Sequence, residues 1–213
     1  SQDALDKIHA ATLDVLRSTG VRVDCDEALN ILKKGGCWVN NKTRVARFPE
    51  HIVMQALSMC PSHVLLAGRV PSDDFVMGGK QVGFTTFGTG IMTEDLETGE
   101  IRESTKADVA KISRLTDALP HMDVLSSPVT ARDMPDESYD LHMLEAALLN
   151  TTKHYHCDAE DGNRAEKMVE MTAAVVGGRE ALKQRPIFSL AACPTSPLQL
   201  IKTCAEVIVQ SAK

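Results

Sequence analysis

What this chain has little of narrows its reading first. No uninterrupted apolar run approaches the roughly 18 residues that a bilayer span needs, so no membrane partner is expected. Positive charge is in deficit: the formal charge is −6, with the acids scattered rather than blocked. A nucleic-acid or anionic-membrane surface is therefore not expected either. The six cysteines, Cys25, Cys37, Cys60, Cys157, Cys193 and Cys204, form no Cys-x-x-Cys pair and keep no regular spacing. In a chain this long that pattern reads as reduced thiols in a cytoplasm rather than a disulfide scaffold. Aromatic residues are scarce at 4%, which limits any ring-walled pocket built from this chain alone. No secretory leader precedes the first helix signal, and no Met opens the chain, so it is expected to be trimmed or to begin within a gene.

What is present divides into three stretches. Residues 1–63 read as a helical lobe with a hairpin. Leu5, Ile8, Thr12, Val15 and Leu16 stand at helical spacing before Gly20. Asp24 or Asp26 is placed to cap a second helix that Gly35 and Gly36 stop. A hairpin around Asn40-Asn41 follows, and Pro49 opens a third helix. Residues 64–103 read as β-rich, with a turn at Glu97-Thr-Gly-Glu100. The Gly88-Thr-Gly90 cluster leads into more strand rather than a helix and reads as a bend. From 104 onward the pattern becomes β/α. Thr105-Lys-Ala-Asp108 has capping-box spacing at the head of a helix.

Three strands, at 122–128, 153–158 and 187–192, each end in polar residues and each precede a helical pattern. The third is the sharpest: the run stops at Cys193-Pro-Thr-Ser-Pro197 and a helix is expected from Leu198, capped by Thr195 or Ser196 with Pro197 in its first turn. Three consecutive βα units predict a parallel sheet. Either a small doubly wound sheet or a (β/α)8 barrel reads this way. No Gly-rich phosphate loop follows any of the three strands, which lowers the nucleotide-binding option. The last helix runs to Lys213 without a stop signal, and a barrel needs five further units, so the chain is expected to be a fragment.

Lys153-His-Tyr-His-Cys-Asp158 is the densest set of polar side chains. On a strand, His154 and His156 share one face and Tyr155 and Cys157 the other. The two imidazoles could meet one metal with a third ligand from elsewhere; His156 and Asp158 could instead line a pocket, or the segment could serve packing. Cys193 has no identifiable partner base and reads mainly as a packing residue. Ser126, Ser127, Thr195 and Ser196 are caps or ligand-facing hydroxyls.

The order of five segments resembles the trimethylamine:corrinoid methyltransferase superfamily over essentially the whole chain. They are Ile8-His9 with Thr12, Val15-Leu16 and Gly20; Phe87-Gly-Thr-Gly90; Ser127-Pro-Val-Thr-Ala-Arg-Asp133; Thr151-Thr-Lys-His-Tyr-His156; and Arg185-Pro-Ile-Phe-Ser with Cys193-Pro-Thr-Ser-Pro-Leu198. The resemblance implies an α/β fold of the (β/α)8 TIM-barrel type, here the N-terminal lobe, a β-rich connection and the first three β/α units. It implies a methyltransferase of one-carbon metabolism and methanogenesis. Such an enzyme moves a methyl group from trimethylamine or a glycine-betaine-like quaternary amine to the Co(I) of a corrinoid carried by a cognate partner protein. The trimethylamine branch uses pyrrolysine in the second half of the barrel, beyond this chain, and a fragment alone is expected to be inactive.

Strand-end placement then picks Thr86, Phe87, Ser127, His156, Asp158 and Thr195 as pocket candidates. Phe84, Phe87, Tyr155 and Phe188 are the available rings, with Asp158 as the acid and most of a cation cage expected from elsewhere. No catalytic residue and no metal ligand is singled out. Alternatives are a non-catalytic half-barrel completed by a partner chain, or another barrel enzyme with a metal at His154 and His156. A homo-oligomer is left open.

Overall fold

The computed structural model describes residues 1–86 and 88–213. In chain order the first elements are α1 (Gln2–Ser18), β1 (Val21–Val23), α2 (Asp26–Lys34), β2 (Trp38–Asn40), β3 (Val45–Arg47) and α3 (Glu50–Met59). Then come β4 (His63–Leu66), β5 (Phe75–Gly78), β6 (Met92–Glu94), β7 (Ile101–Glu103), α4 (Lys106–Ala118), β8 (Val124–Ser126) and α5 (Tyr139–Asn150). The chain continues through β9 (His154–Asp158), α6 (Gly162–Val176), α7 (Arg179–Gln184), β10 (Phe188–Ala191), β11 (Gln199–Leu200) and α8 (Lys202–Ser211). Two compact units result: residues 1–61 with 192–213, and residues 62–191.

The first unit is built on a four-stranded sheet of order β11-β1-β3-β2. The β2–β3 hairpin forms where Asn40 turns the chain, its side-chain oxygen accepting from the amides of Lys42 and Thr43 at 3.0 and 3.2 Å. Gly20 ends α1 at φ +81, and a Cβ there would stand 2.4 Å from the Ala46 carbonyl oxygen. Only glycine allows β3 to come that close. Val23, Leu29, Ala46, Ala205 and Val209 make the core between this sheet, α2 and α8.

One expectation fails here. No helix starts at Leu198, and Thr195, Ser196 and Pro197 do not cap or open one; α8 begins at Lys202, with Ile201 before it and no side-chain cap. The backbone has a better use for that stretch. Thr195 and Gln199 exchange two hydrogen bonds of 2.8 and 3.0 Å, and β11 pairs in parallel with β1, Arg22 opposite Gln199. Ladder bonds to a distant strand outweigh a local capping signal.

The second unit carries a three-stranded parallel sheet in the order β10-β9-β8. The β/α alternation of the three units is therefore observed as mixed α/β structure, though the described residues form no closed barrel. A fourth segment extends this sheet, with Thr85 bridging Val124 and Gly90 bridging Val129, both in parallel. The segment read as a bend thus lies along β8, and β6, β7 and α4 form its crossover. At the head of α4 the expected capping box is present: Thr105 accepts from the Asp108 amide and Asp108 from the Thr105 amide. Asp108 also takes a two-pronged bond from Arg102, at 2.7 and 2.9 Å.

One face of the parallel sheet is covered. Leu125, Tyr155 and Cys157 point into a core with Leu144, Ala147 and Leu148 of α5, Met168 and Ala173 of α6, and Leu182 of α7. The N-terminal end of the sheet is closed by residues 67–74. Arg185 holds Asp74 and the Gly68 carbonyl, the latter at 2.8 Å, and Arg69 donates to the carbonyls of Thr151 and Thr152. The Arg185 hydrogen bond holds the Asp74 carboxyl below its usual range. A Cβ on Gly68 would stand 2.6 Å from the Asp73 Cβ, so the loop folds this tightly only with glycine.

Candidate functional site

Because side chains alternate along β9, the covered face takes Tyr155 and Cys157 while His154, His156 and Asp158 fall on the other. Register aligns the neighbours: His156 lies opposite Ser126 on β8 and opposite Ser189 on β10. Ser126, His156 and Ser189 therefore form one polar row across three strands, with Asp158 further toward the C-terminal strand ends. In sheets of this kind the C-terminal ends carry the chemistry.

Hydrogen bonds link His154, Ser189 and His156. His154 is 1% exposed, and its Nδ1 lies 3.1 Å from the Ala67 carbonyl oxygen. Its Nε2 lies 3.0 Å from Ser189 Oγ, which is also 2.9 Å from His156 Nδ1. Burial pushes the His154 ring below the ordinary histidine value, against the opposing pull of the Ala67 and Pro186 carbonyls. Asp158 is exposed, and while its backbone belongs to the β9–β10 ladder its carboxylate makes no hydrogen bond or ion pair to any of the described residues.

Thr86 serves the edge of the sheet. Its hydroxyl donates to the Ser126 carbonyl at 2.6 Å and accepts from the Ser126 amide at 2.9 Å. A side chain here does the work of a strand backbone, tying the parallel segment to β8. Thr86→Val keeps the shape but strips a partner from that amide. We expect a stability loss of about 1–3 kcal/mol, read as a lower urea midpoint with unchanged slope.

Of the other residues picked from the sequence, Ser127 is buried at 3% exposure, with its hydroxyl 3.0 Å from the Tyr155 phenol. It sits on the covered side, and its neighbour Ser126 stands in the polar row instead. Thr195 is exposed and belongs to the other unit, where its backbone pairs with Gln199. Phe87 lies outside the described residues. Tyr155 is 1% exposed, and Phe188, in register with it, packs on the same core. Neither ring can wall a cation pocket on the His156 face, because strand parity puts both beneath it. Ser189 is the residue that the sequence alone does not pick out, and Ser126 is named there only beside Ser127 as a cap or ligand-facing hydroxyl. The signal for both is cross-strand register, which a single segment does not contain.

Among the described residues, no three His, Cys, Asp or Glu side chains are gathered as a metal site. Both ring nitrogens of His154 are committed, one to a carbonyl and one to Ser189. The two histidines thus meet through a hydroxyl, in an arrangement suited to hydrogen bonding and charge compensation. An imidazole, two hydroxyls and an unpaired carboxylate can take up a small cation.

The chain matches the family model described as trimethylamine methyltransferase (MTTB) over residues 1–213. It is 42% identical to the trimethylamine methyltransferase MttB of Desulfitobacterium hafniense strain DCB-2, covering 100% of this chain and 43% of that protein. Against trimethylamine methyltransferase MttB1 of Methanosarcina acetivorans it is 39% identical, covering 99% and 44%. Against the glycine betaine methyltransferase of D. hafniense strain Y51 it is 27% identical, covering 88% and 39%. The chain thus spans less than half the length of these relatives. It belongs to the trimethylamine methyltransferase family.

Proposed function

From that membership we propose that this chain is part of an enzyme that takes a methyl group from a methylated amine and passes it to a corrinoid carried by a second protein. The polar row of Ser126, His156 and Ser189, with Asp158, is the wall that faces the amine. The unpaired Asp158 carboxylate at the strand ends is the observation that carries this reading. The relatives' names specify trimethylamine in two cases and glycine betaine in the third, and both compounds present three methyl groups on one nitrogen. The remainder of the wall, in a (β/α)8 barrel, would come from five further β/α units.

The corrinoid acts as a substrate and supplies the electron pair for the new bond to the methyl carbon. The carbon–nitrogen bond breaks with its pair going to nitrogen. A quaternary nitrogen leaves as a neutral amine and needs no proton; trimethylamine does the same as its ammonium form, whose N–H proton stays on the departing dimethylamine. The protein's residues have other tasks: to hold one methyl in line with the acceptor and to keep water out. Asp158 offsets the positive charge of the bound amine, and the hydroxyls and imidazole complete a polar, acceptor-rich surface. Reduced thiols are in keeping with a cytoplasmic setting; all six cysteines are free. Among the described residues no helix is long and apolar enough to cross a membrane.

The test is methyl transfer by the whole enzyme of which this chain is part, from trimethylamine or glycine betaine to a reduced corrinoid, followed by its visible absorption. Asp158→Asn should raise KM for the amine about ten-fold, equivalent to about 1.4 kcal/mol of lost binding, with little change in kcat. An unchanged KM would remove Asp158 from the site. Failure to transfer from any methylated amine would end the reading.

A further inference from the structure

We propose that His154 and Ser189 are positioning residues that hold His156 in its Nδ1–H tautomer, leaving Nε2 as a bare acceptor on the open face of the sheet. The deduction runs from the buried end outward, because each group has a limited number of protons to give. A carbonyl oxygen can only accept, so the 3.1 Å contact from His154 Nδ1 to Ala67 places a proton on that nitrogen. His154 is 1% exposed and sits in no ion pair among the described residues, so its ring is neutral and carries that one proton. Its Nε2 is then a lone pair. The hydroxyl 3.0 Å away, on Ser189, must donate to it.

A serine has one hydrogen, and this one is now spent. The second contact of Ser189 Oγ, 2.9 Å to His156 Nδ1, therefore requires His156 to be the donor. A neutral His156 with its proton on Nδ1 has none on Nε2, and no described residue hydrogen-bonds that nitrogen. The chain of four groups is directional, and its direction is set by a backbone carbonyl at the closed end of the sheet. In water a histidine ordinarily favours the opposite tautomer, so the arrangement is imposed by the fold.

What Nε2 meets rests on the amine reading proposed above. A bare imidazole nitrogen attracts the partly positive methyl hydrogens of an alkylammonium, whereas an N–H in the same place would repel them. The inferred tautomer gives the cation a second acceptor beside Asp158 and gives it no competing positive charge.

The experiment is nitrogen NMR of the protein labelled with 15N at its histidines, at a pH above 7, with His156→Asn used to assign the signals. The expected result is a protonated Nδ1 and a bare Nε2 for His156, shifting toward the Nε2–H form in Ser189→Ala. A wild-type His156 protonated on Nε2 would overturn the proposal, and so would a folded Ser189→Ala whose His156 signals do not change. The wild-type spectrum decides even where the variant fails to fold. Adding tetramethylammonium tests the other premise separately. Movement of the His156 Nε2 signal supports the amine contact; no movement would overturn that contact while leaving the tautomer assignment intact.

Discussion

Leu144→Ala should cost the second unit about 3 kcal/mol and loosen the polar row from behind. Leu144 is fully buried in α5 and belongs to the same core as Leu125, Tyr155 and Cys157, on the side of the sheet opposite His156. Cutting it to alanine removes transfer energy and leaves a cavity that packed neighbours fill only in part. Leu149→Ala on the same helix is the control, since Leu149 is 74% exposed and its loss should change stability by less than about 0.5 kcal/mol. Urea unfolding separates the units optically. The two tyrosines, Tyr139 and Tyr155, lie in the second unit, and the one tryptophan, Trp38, lies in the first. The tyrosine-monitored midpoint should fall in Leu144→Ala while the tryptophan transition stays. Equal midpoints in Leu144→Ala and Leu149→Ala would mean that this core does not support β9.

Acidification should destabilise the same unit well before its carboxylates titrate. An unfolded histidine takes up its proton near pH 6.5. The folded His154 ring, held lower by burial, is still neutral there. Between those two values the unfolded state binds more protons, so stability is full above about pH 6.5 and falls as the pH drops toward the folded value. The slope for one proton approaches about 1.4 kcal/mol per pH unit. A second decline belongs to carboxylates held low in the fold. Asp108 is held by the Arg102 hydrogen bond, and Asp74 by Arg185. At Asp117, burial acts upward, but hydrogen bonds from Thr152 and Thr151 outweigh it. Their contribution is present above about pH 4 and is lost below it. Tyrosine-monitored urea midpoints from pH 8 to pH 3 should show both steps, and His154→Phe should remove the first. A wild-type midpoint that stays level from pH 7 to pH 5 would contradict the first step.

Much of this arrangement is legible in the chain, for reasons that differ by residue. The start of α4 can be read because Thr105 and Asp108 form a box within four positions. The partition of β9 can be read too, since His154, His156 and Asp158 must share a face whatever the fold. Which face the helices cover is not local information. For that reason Tyr155 could be taken for a cage wall, although parity already placed it with Cys157, and so could Phe188, whose side follows only from its register opposite Tyr155. The same one-residue offset separates Ser127 from Ser126. The stretch after β10 misleads for another reason: Thr195 and Pro197 are good helix-opening residues, but Thr195 pairs with Gln199, and Gln199 and Leu200 are claimed by a partner strand at Val21–Val23. Ser189 is invisible to any reading of single segments, because its part depends on lying opposite His156.

The pairing of β11 with β1 also sets an order of events during synthesis. Residues 62–191 leave the ribosome as one continuous stretch and can close their core without waiting for later chain. The first unit cannot. When Met59 has emerged, β1 has β3 on one side and nothing on the other, and its missing neighbour is still the whole second unit away. At ordinary translation rates that edge stays open for on the order of ten seconds. An unpaired strand edge is where wrong pairings start. Of these two units the one that starts first is thus finished second, and its slow step is the return of a two-residue strand.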